Sequence, residues 1–207
     1  MSPASKPAGK PGVAAHRGAG RVVAGSARGI RLAAPLGDAR PLGDRLKEAL
    51  FATLEPELRG RAFLDLFAGS GAGGIEALSR GAARAVLVDK DPGALATIAT
   101  NLAAAHLADA AIVRRGDAID WLRTAAAAEG PFDIVLVDPP YDEPKLLARA
   151  LETIAAAGPG AILAATGLVV AKHGRRTPPD ARNGLLASVR ERRFGESTLT
   201  LLRWETE

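Results

Sequence analysis

"AFLDLFAGSGAGGIEALSRGA", residues 62–82, decides how the rest of the chain is read. The opening "AFLDLF" is short and almost wholly apolar, the pattern of a strand covered on both faces. "AGSGAGG" then predicts a tight turn, because Gly69, Gly71 and Gly73 allow backbone conformations and close approaches closed to other residues. "IEALSRGA" continues as a helix, so the stretch is strand, glycine turn, helix, with Asp65 near the strand's end. In such units a ligand sits at the helix N-terminus, outside the strand's carboxyl end. The turn lacks the Lys-Ser/Thr ending of a phosphate-binding P-loop, which argues against ATP or GTP hydrolysis.

Working outward, the same alternation repeats. "AVLVDKD" predicts a strand and 92–105 a helix, "AAIVRRGD" a strand and "AIDWLRTAAAAE" a helix, and "FDIVLV" a strand with a helix over 144–157. A strand over 160–166 follows, and "LLASVRERRFGESTLTLLRWE" reads as two antiparallel strands joined near Gly195. Repeated βα order predicts an α/β fold built on a doubly wound, mostly parallel sheet, with ligand sites at the carboxyl ends of its strands. Upstream, "RVVAGSARGIRLAAP" predicts two short strands or a small N-terminal β-hairpin, and "GDRLKEALFATLEPEL" a helix through Leu46, Leu50, Phe51 and Leu54. Residues 1–19 read as a flexible basic tail, 20–43 as an N-terminal extension and 44–207 as the main domain.

The 207 residues and 47% hydrophobic content suit one domain with a substantial core, and a 4% aromatic share leaves alanine, leucine and valine to fill most of it. Without cysteine there are no disulfides, thiolate metal sites or cysteine nucleophiles. His16, His106 and His173 lack metal-ligand spacing, so no metal is expected. No apolar segment reads as a secretory signal or a membrane span, and a soluble cytoplasmic protein is expected. The net charge of +4 is uneven: residues 1–48 hold nine Lys/Arg against three Asp/Glu, the remainder eighteen against twenty. A basic N-terminal part favours a polyanionic partner.

Three acids follow three strands. Asp89 can accept hydrogen bonds from both hydroxyls of a ribose. Asp117 can accept from an adenine amino group or cap the helix it precedes. Asp65 would put negative charge where a dinucleotide carries its pyrophosphate, but where S-adenosylmethionine carries cationic groups, and this favours the latter. "VDPPYDE", residues 137–143, then acquires a chemical reading. Asp138 and the Pro139 carbonyl can accept the two hydrogens of an exocyclic amine, Pro139 and Pro140 stiffen the backbone that presents them, and Tyr141 can stack on the base.

Together, "DLFAGSGAGGIEALSRGA", "LVDPPY", "RVVAGSARGIRL", "RPLGDRLKEALF" and "RRFGESTLTLLRW" resemble the bacterial small-subunit ribosomal RNA guanine-N2 methyltransferase family over nearly everything after residue 20. The resemblance implies a Rossmann-like methyltransferase sheet with an antiparallel C-terminal strand. It also implies S-adenosylmethionine as cofactor and methylation of one guanine N2, the position 966 type, in 16S ribosomal RNA within the small subunit or an assembly intermediate. Asp65, Gly69 and Gly71 would line the methionine end of the cofactor, Asp89 its ribose and Asp117 its adenine side, with Phe67, Lys90 and Ala118 as binding neighbours. Asp138, Pro139, Pro140 and Tyr141 would face the guanine amine. Arg21, Arg28, Arg31, Arg40 and Arg45 are the RNA-contact candidates, through phosphate charge and hydrogen bonds. Arg45 has a second reading, in which it holds an active-site loop through a carboxylate.

The chain departs from the family pattern at Leu42 and Gly43, where hydroxyl residues commonly precede the Asp-Arg pair, and at Asp89, where a longer Glu is common. Asp-Pro-Pro-Tyr recognises an amine and not a whole base, so an adenine-N6 methyltransferase stands as an alternative. A noncatalytic RNA-binding protein of ribosome assembly is a third reading. A monomer is expected, since a large RNA supplies recognition surface of its own.

Overall fold

The computed structural model describes residues 20–35, 42–141 and 143–205. Strand β1 (Ala62–Leu66) lies at the centre, parallel to β2 (Arg84–Asp89) on one side and to β4 (Phe132–Val137) on the other. Beyond β2 lies β3 (Ala111–Arg115), and beyond β4 lies β5 (Leu163–Gly174), both parallel to their neighbours. The sheet is completed by β8 (Ser197–Trp204) antiparallel to β5, by β7 (Leu186–Phe194) antiparallel to β8, and by a two-residue β6 (Arg182–Asn183). The order is β3-β2-β1-β4-β5-β8-β7-β6. This is the doubly wound sheet with antiparallel C-terminal strands that the sequence predicts.

Helices α1 (Asp44–Leu58), α2 (Ala72–Ser79) and α3 (Pro92–Ala105) contribute to the core on one face, where Leu50, Phe51, Ile75 and Ile98 gather with Phe63 and Leu87. Helices α4 (Ala118–Thr124) and α6 (Pro144–Ala157) supply Trp121, Leu147, Leu151 and Ile154 to the other, against Leu64, Leu66, Val86 and Val88. Alternation along each strand feeds both cores, so central strands must be apolar at every position. Asp65 breaks that rule in β1, and side-chain parity puts it on the face of α2.

Three local expectations change. The N-terminal hairpin reduces to a single antiparallel bridge between Arg21 and Arg31, supported by Val22 N–H donating to the Ile30 carbonyl at 2.9 Å and Gly29 N–H to that of Val22 at 2.9 Å. The helix expected over "AIDWLRTAAAAE" divides into α4 and a one-turn α5 (Ala126–Glu129), since Ala125 leaves helical geometry at φ −124°. The fifth strand runs from Leu163 to Gly174, not 160–166: after a register irregularity, Leu168–Ala171 pair with Ile134–Val137 and carry the strand on through Lys172 and His173. Leu42 and Gly43 fall within the described residues, while the 1–19 tail lies outside them.

Candidate active site

The chain leaves β1 towards β2 on one side and reaches β4 and β5 on the other, so the direction of winding reverses between β1 and β4. Such a switch point opens a crevice at the strands' carboxyl ends. A cleft of about 2080 Å³ lies there.

The glycine turn forms its first wall. Phe67, Gly69 and Gly71 all have positive φ (64°, 57° and 77°), so the turn doubles back within five residues. A Cβ on Gly73 would stand 2.7 Å from Leu136 Cδ2 and 2.8 Å from Asp65 Oδ2, so only glycine lets α2 start this close to the strands. Asp65 is buried at 2% exposure, and its Oδ2 accepts the Gly74 N–H at 2.7 Å. Burial pushes its carboxyl up to about 8, the Gly74 amide opposing the rise and the charges of Asp138 and Asp89 adding to it. This is a carboxylate short of cations.

Asp89 serves the turn directly: Oδ2 accepts the Gly69 N–H at 2.8 Å and Oδ1 the Asp91 N–H at 2.9 Å. Asp117 caps α4, its Oδ1 accepting from Ile119 N–H at 3.0 Å and Asp120 N–H at 3.2 Å. Both still line the cleft, with Asp65, Phe67, Gly69, Lys90 and Ala118. Gly71 does not. Its Cα faces Leu87, Ile75 and Ile98, so it bends the turn from the core side.

The opposite wall is Asp138, Pro139, Pro140 and Tyr141. Pairing of Leu66 with Val137 brings Asp138 beside the glycine turn. Pairing of Val137 with Ala171 brings the next residue of β5, Lys172, beside Asp138. Lys172 Nζ donates to Asp138 Oδ1 at 2.6 Å and lies 4.6 Å from the centre of the Tyr141 ring. The Tyr141 hydroxyl is 2.7 Å from Ser197 Oγ, leaving the ring 39% exposed. Burial pushes the Asp138 carboxyl above its ordinary range, against the pull of Lys172.

The RNA candidates divide. Arg45 is exposed and lines the cleft, and makes no ion pair with another described residue. Arg21 is 3.5 Å from Asp44, whose other oxygen is 3.4 Å from the fully buried Lys47, and Lys47 donates to the Arg21 carbonyl. Arg21, Arg28 and Arg31 are exposed but do not line the cleft, although Gly20 and Pro35, at the ends of their segment, do. Arg40 lies outside the described residues.

Several residues of the site escape the sequence reading. Lys172 is one. Arg175 and Arg176, which the sequence places in a surface connection with RNA contact as a second reading, are exposed on the cleft wall and belong to a stretch from 172 to 193 with seven Lys/Arg and two Asp/Glu, a charge signal diluted by averaging over everything after residue 48. Glu76 and Asn101 fasten the N-terminal segment. Glu76, fully buried, accepts Val23 N–H at 2.8 Å, Ala24 N–H at 3.0 Å and Arg80 Nε–H at 2.8 Å. Asn101 accepts Ala33 N–H at 2.8 Å and donates to the carbonyls of Ala33 at 2.9 Å and of Ser70, in the glycine turn, at 2.8 Å.

Among known proteins, the chain is 40% identical over 176 residues to the Bacillus subtilis protein named "Putative rRNA methyltransferase YlbH", covering 84% of this chain and 94% of that one. It is 40% identical over 129 residues to ribosomal RNA small subunit methyltransferase D of Escherichia coli, covering 61% and 63%. The solved structure titled "Putative methyltransferase yhhF from Escherichia coli" superposes with a TM-score of 0.76 at 32% identity, over 90% of this chain and 98% of that one. A family profile described as "Conserved hypothetical protein 95" matches residues 20–203. The chain therefore belongs to that family, the ribosomal RNA methyltransferase family in which these relatives stand.

Proposed function

We propose that the protein transfers a methyl group from S-adenosylmethionine to the exocyclic N2 of one guanine, the position 966 type, in 16S ribosomal RNA. The observation that carries the reading is the convergence of Asp65 and Asp138, from β1 and β4, on one cleft at the switch point. The Asp65 wall fits the cofactor's cationic end, because a carboxyl raised by burial, and further by two acidic neighbours, is relieved by a cation and not by a pyrophosphate. Phe67, Gly69, Asp89, Lys90, Asp117 and Ala118 would hold the rest. Asp89 and Asp117 already accept backbone N–H groups, so any further bond they accept uses their remaining lone pairs.

Bound there, S-adenosylmethionine supplies a methyl group whose bond pair returns to sulfur as the N2 lone pair forms the new C–N bond. The protein's part is placement. Asp138 and the Pro139 carbonyl take the two amine hydrogens, which aims the nitrogen lone pair, and the prolines keep both acceptors from drifting. Tyr141 offers its exposed ring to a base drawn out of its stack. The methylated nitrogen carries a surplus proton, which Asp138 is placed to accept and pass to solvent. Phosphates of the surrounding RNA would meet Arg45 and the arginines of the Gly20–Pro35 segment.

The test offers purified protein and labelled S-adenosylmethionine to small ribosomal subunits lacking the modification, and maps the labelled nucleoside by mass spectrometry. N2-methylguanine at a single site, lost in Asp138→Ala, is the expected result. N6-methyladenine would replace this reading with the adenine enzyme. Binding of cofactor and subunits without transfer would replace it with a noncatalytic role.

A further inference from the structure

Among the described residues two lysines are buried, Lys47 and Lys172. Lys47 has a structural task, donating to the Arg21 carbonyl beside Asp44 and so holding the start of the N-terminal segment to α1. Lys172 has no such task. At 6% side-chain exposure it lines the cleft, and its partners are the two groups assigned to the target base, the Asp138 carboxylate at 2.6 Å and the Tyr141 ring at 4.6 Å. Nothing in the methyl-transfer chemistry uses a lysine.

We propose that Lys172 is a positioning residue of the amine clamp: its ammonium anchors one carboxylate oxygen of Asp138 and one side of the Tyr141 ring, presenting the other oxygen to the target amine. The inference rests on reading Asp138 as the amine acceptor.

Three observations support it. Strand register, not a flexible loop, sets the contact, since Ala171 pairs with Val137 and Lys172 itself pairs with Leu199 on β8. The lysine is thus fixed from both sides. Second, the electrostatics around Asp138 need a cation. Asp65 faces it from β1, with Asp89 behind on β2, and burial alone favours the protonated acid. A protonated oxygen no longer accepts a hydrogen from an amine. Lys172 is the group that pulls Asp138 back towards the charged form. Burial by itself would lower the lysine, but Asp138 outweighs it and raises it, so the ammonium keeps its charge. Third, a carboxylate free to rotate offers its two oxygens in many directions. Engagement of Oδ1 by Lys172 fixes the plane, and a cation against Tyr141 fixes the ring beside it. A buried ion pair contributes little to stability on average, so positioning is the better account of its presence here.

The experiment measures single-turnover methylation of undermodified small subunits from pH 5.5 to 9 for wild type, Lys172→Met, Lys172→Arg and Asp138→Asn, with cofactor affinity by calorimetry and folding by circular dichroism. Lys172→Met is expected to move the acidic limb of the rate profile to higher pH by about one unit and to lower the rate at pH 6 about tenfold. Lys172→Arg should restore most of both, and cofactor affinity should stay within about threefold, because burial and the Gly74 amide, the two largest influences on Asp65, are untouched. If Lys172→Met does not fold, the same limb shift is sought in Lys172→Gln. An unmoved limb in whichever variant folds, whether its rate is normal or uniformly reduced, overturns the proposal. Asp138→Asn separates the two levels: full activity there removes the amine-clamp reading itself, whereas an inactive Asp138→Asn beside a variant with an unmoved limb removes only the role of Lys172.

Discussion

Binding of S-adenosylmethionine should release a proton, and the release should come from Asp65. In the free protein burial holds this carboxyl at about 8, so near pH 7 only about a tenth of the molecules carry the charged form. A cationic ligand selects that form, and its apparent affinity should follow the ionised fraction. Between pH 5.5 and 6.5 the ligand's own α-amino group keeps its proton, and across that unit affinity should rise close to tenfold. Each unit corresponds to about 1.4 kcal/mol. Titration calorimetry in buffers of different ionisation enthalpy measures both numbers, the slope and a release approaching one proton per ligand. Asp65→Asn, which removes the titrating group, should bind weakly and with a flat profile. Equal affinity at pH 5.5 and 6.5 in the wild type, or an undiminished slope in Asp65→Asn, would refute the electrostatic reasoning. The sign for folding is opposite to the usual carboxylate case. Because the folded pKa lies above the unfolded value of 3.8, the free protein binds more protons than the unfolded chain between about pH 4 and 8, and this contribution to stability declines as pH rises through that range.

Glu76→Ala should lower stability by roughly 3–5 kcal/mol, since it strands the Arg80 guanidinium and two backbone N–H groups that now share one buried carboxylate. Denaturant melts measure the loss, and limited proteolysis should cut first within residues 20–35. Replacing Arg175 and Arg176 together with alanine should weaken RNA binding while leaving cofactor affinity unchanged. The slope of log affinity against log salt should become shallower by roughly 1.5 if each arginine meets one phosphate, and an unchanged slope would remove both from the RNA interface.

The parts legible in the sequence are those where residue type alone dictates geometry. "DLFAGSGAGG" could be read because glycines at such spacing, after a buried strand with an acid in it, leave few conformations. Asp138 and Tyr141 were legible because a proline pair fixes the backbone around them. Direction is not legible in the sequence. Gly69 and Gly71 share positive φ and stand two residues apart, yet one lines the cleft and the other turns into Leu87 and Ile98, a distinction made by neighbouring strands and helices. The arginines of the Gly20–Pro35 segment carried the right charge, but the wall of the cleft is formed by Arg45, Arg175 and Arg176. Lys172 is not legible because "AILAATGLVVAKHG" holds apolar residues on both sides of Gly167, and only pairing with β4 as far as Ala171 and with β8 as far as Gly174 shows how far the strand continues. The split at Ala125 left no mark, since a run of alanines offers no side chain to signal it.

Charge is layered in this cleft, and the layering bears on how a polyanion can be its substrate. The strand ends, which form its floor, hold Asp65, Asp89 and Asp138, with Lys172 the cation against Asp138, while Arg45, Lys90, Arg175 and Arg176 are exposed on its lining together with Glu48, Asp91 and Glu196. A phosphate driven to the floor would meet Asp89, Asp138 and the largely protonated Asp65 across a few ångströms of poorly screened space, well inside a Debye length of about 8 Å, where Lys172 is already engaged by Asp138. A nucleobase is neutral, and its amine presents hydrogens, so it is the one part of a nucleotide that the floor attracts. Binding the backbone at the arginines and admitting only a flipped base to the carboxylates satisfies both charges at once. On the proposed function, the same acids that would receive the cofactor's positive end would also sort the substrate, excluding the phosphodiester chain from the place where the methyl group is transferred.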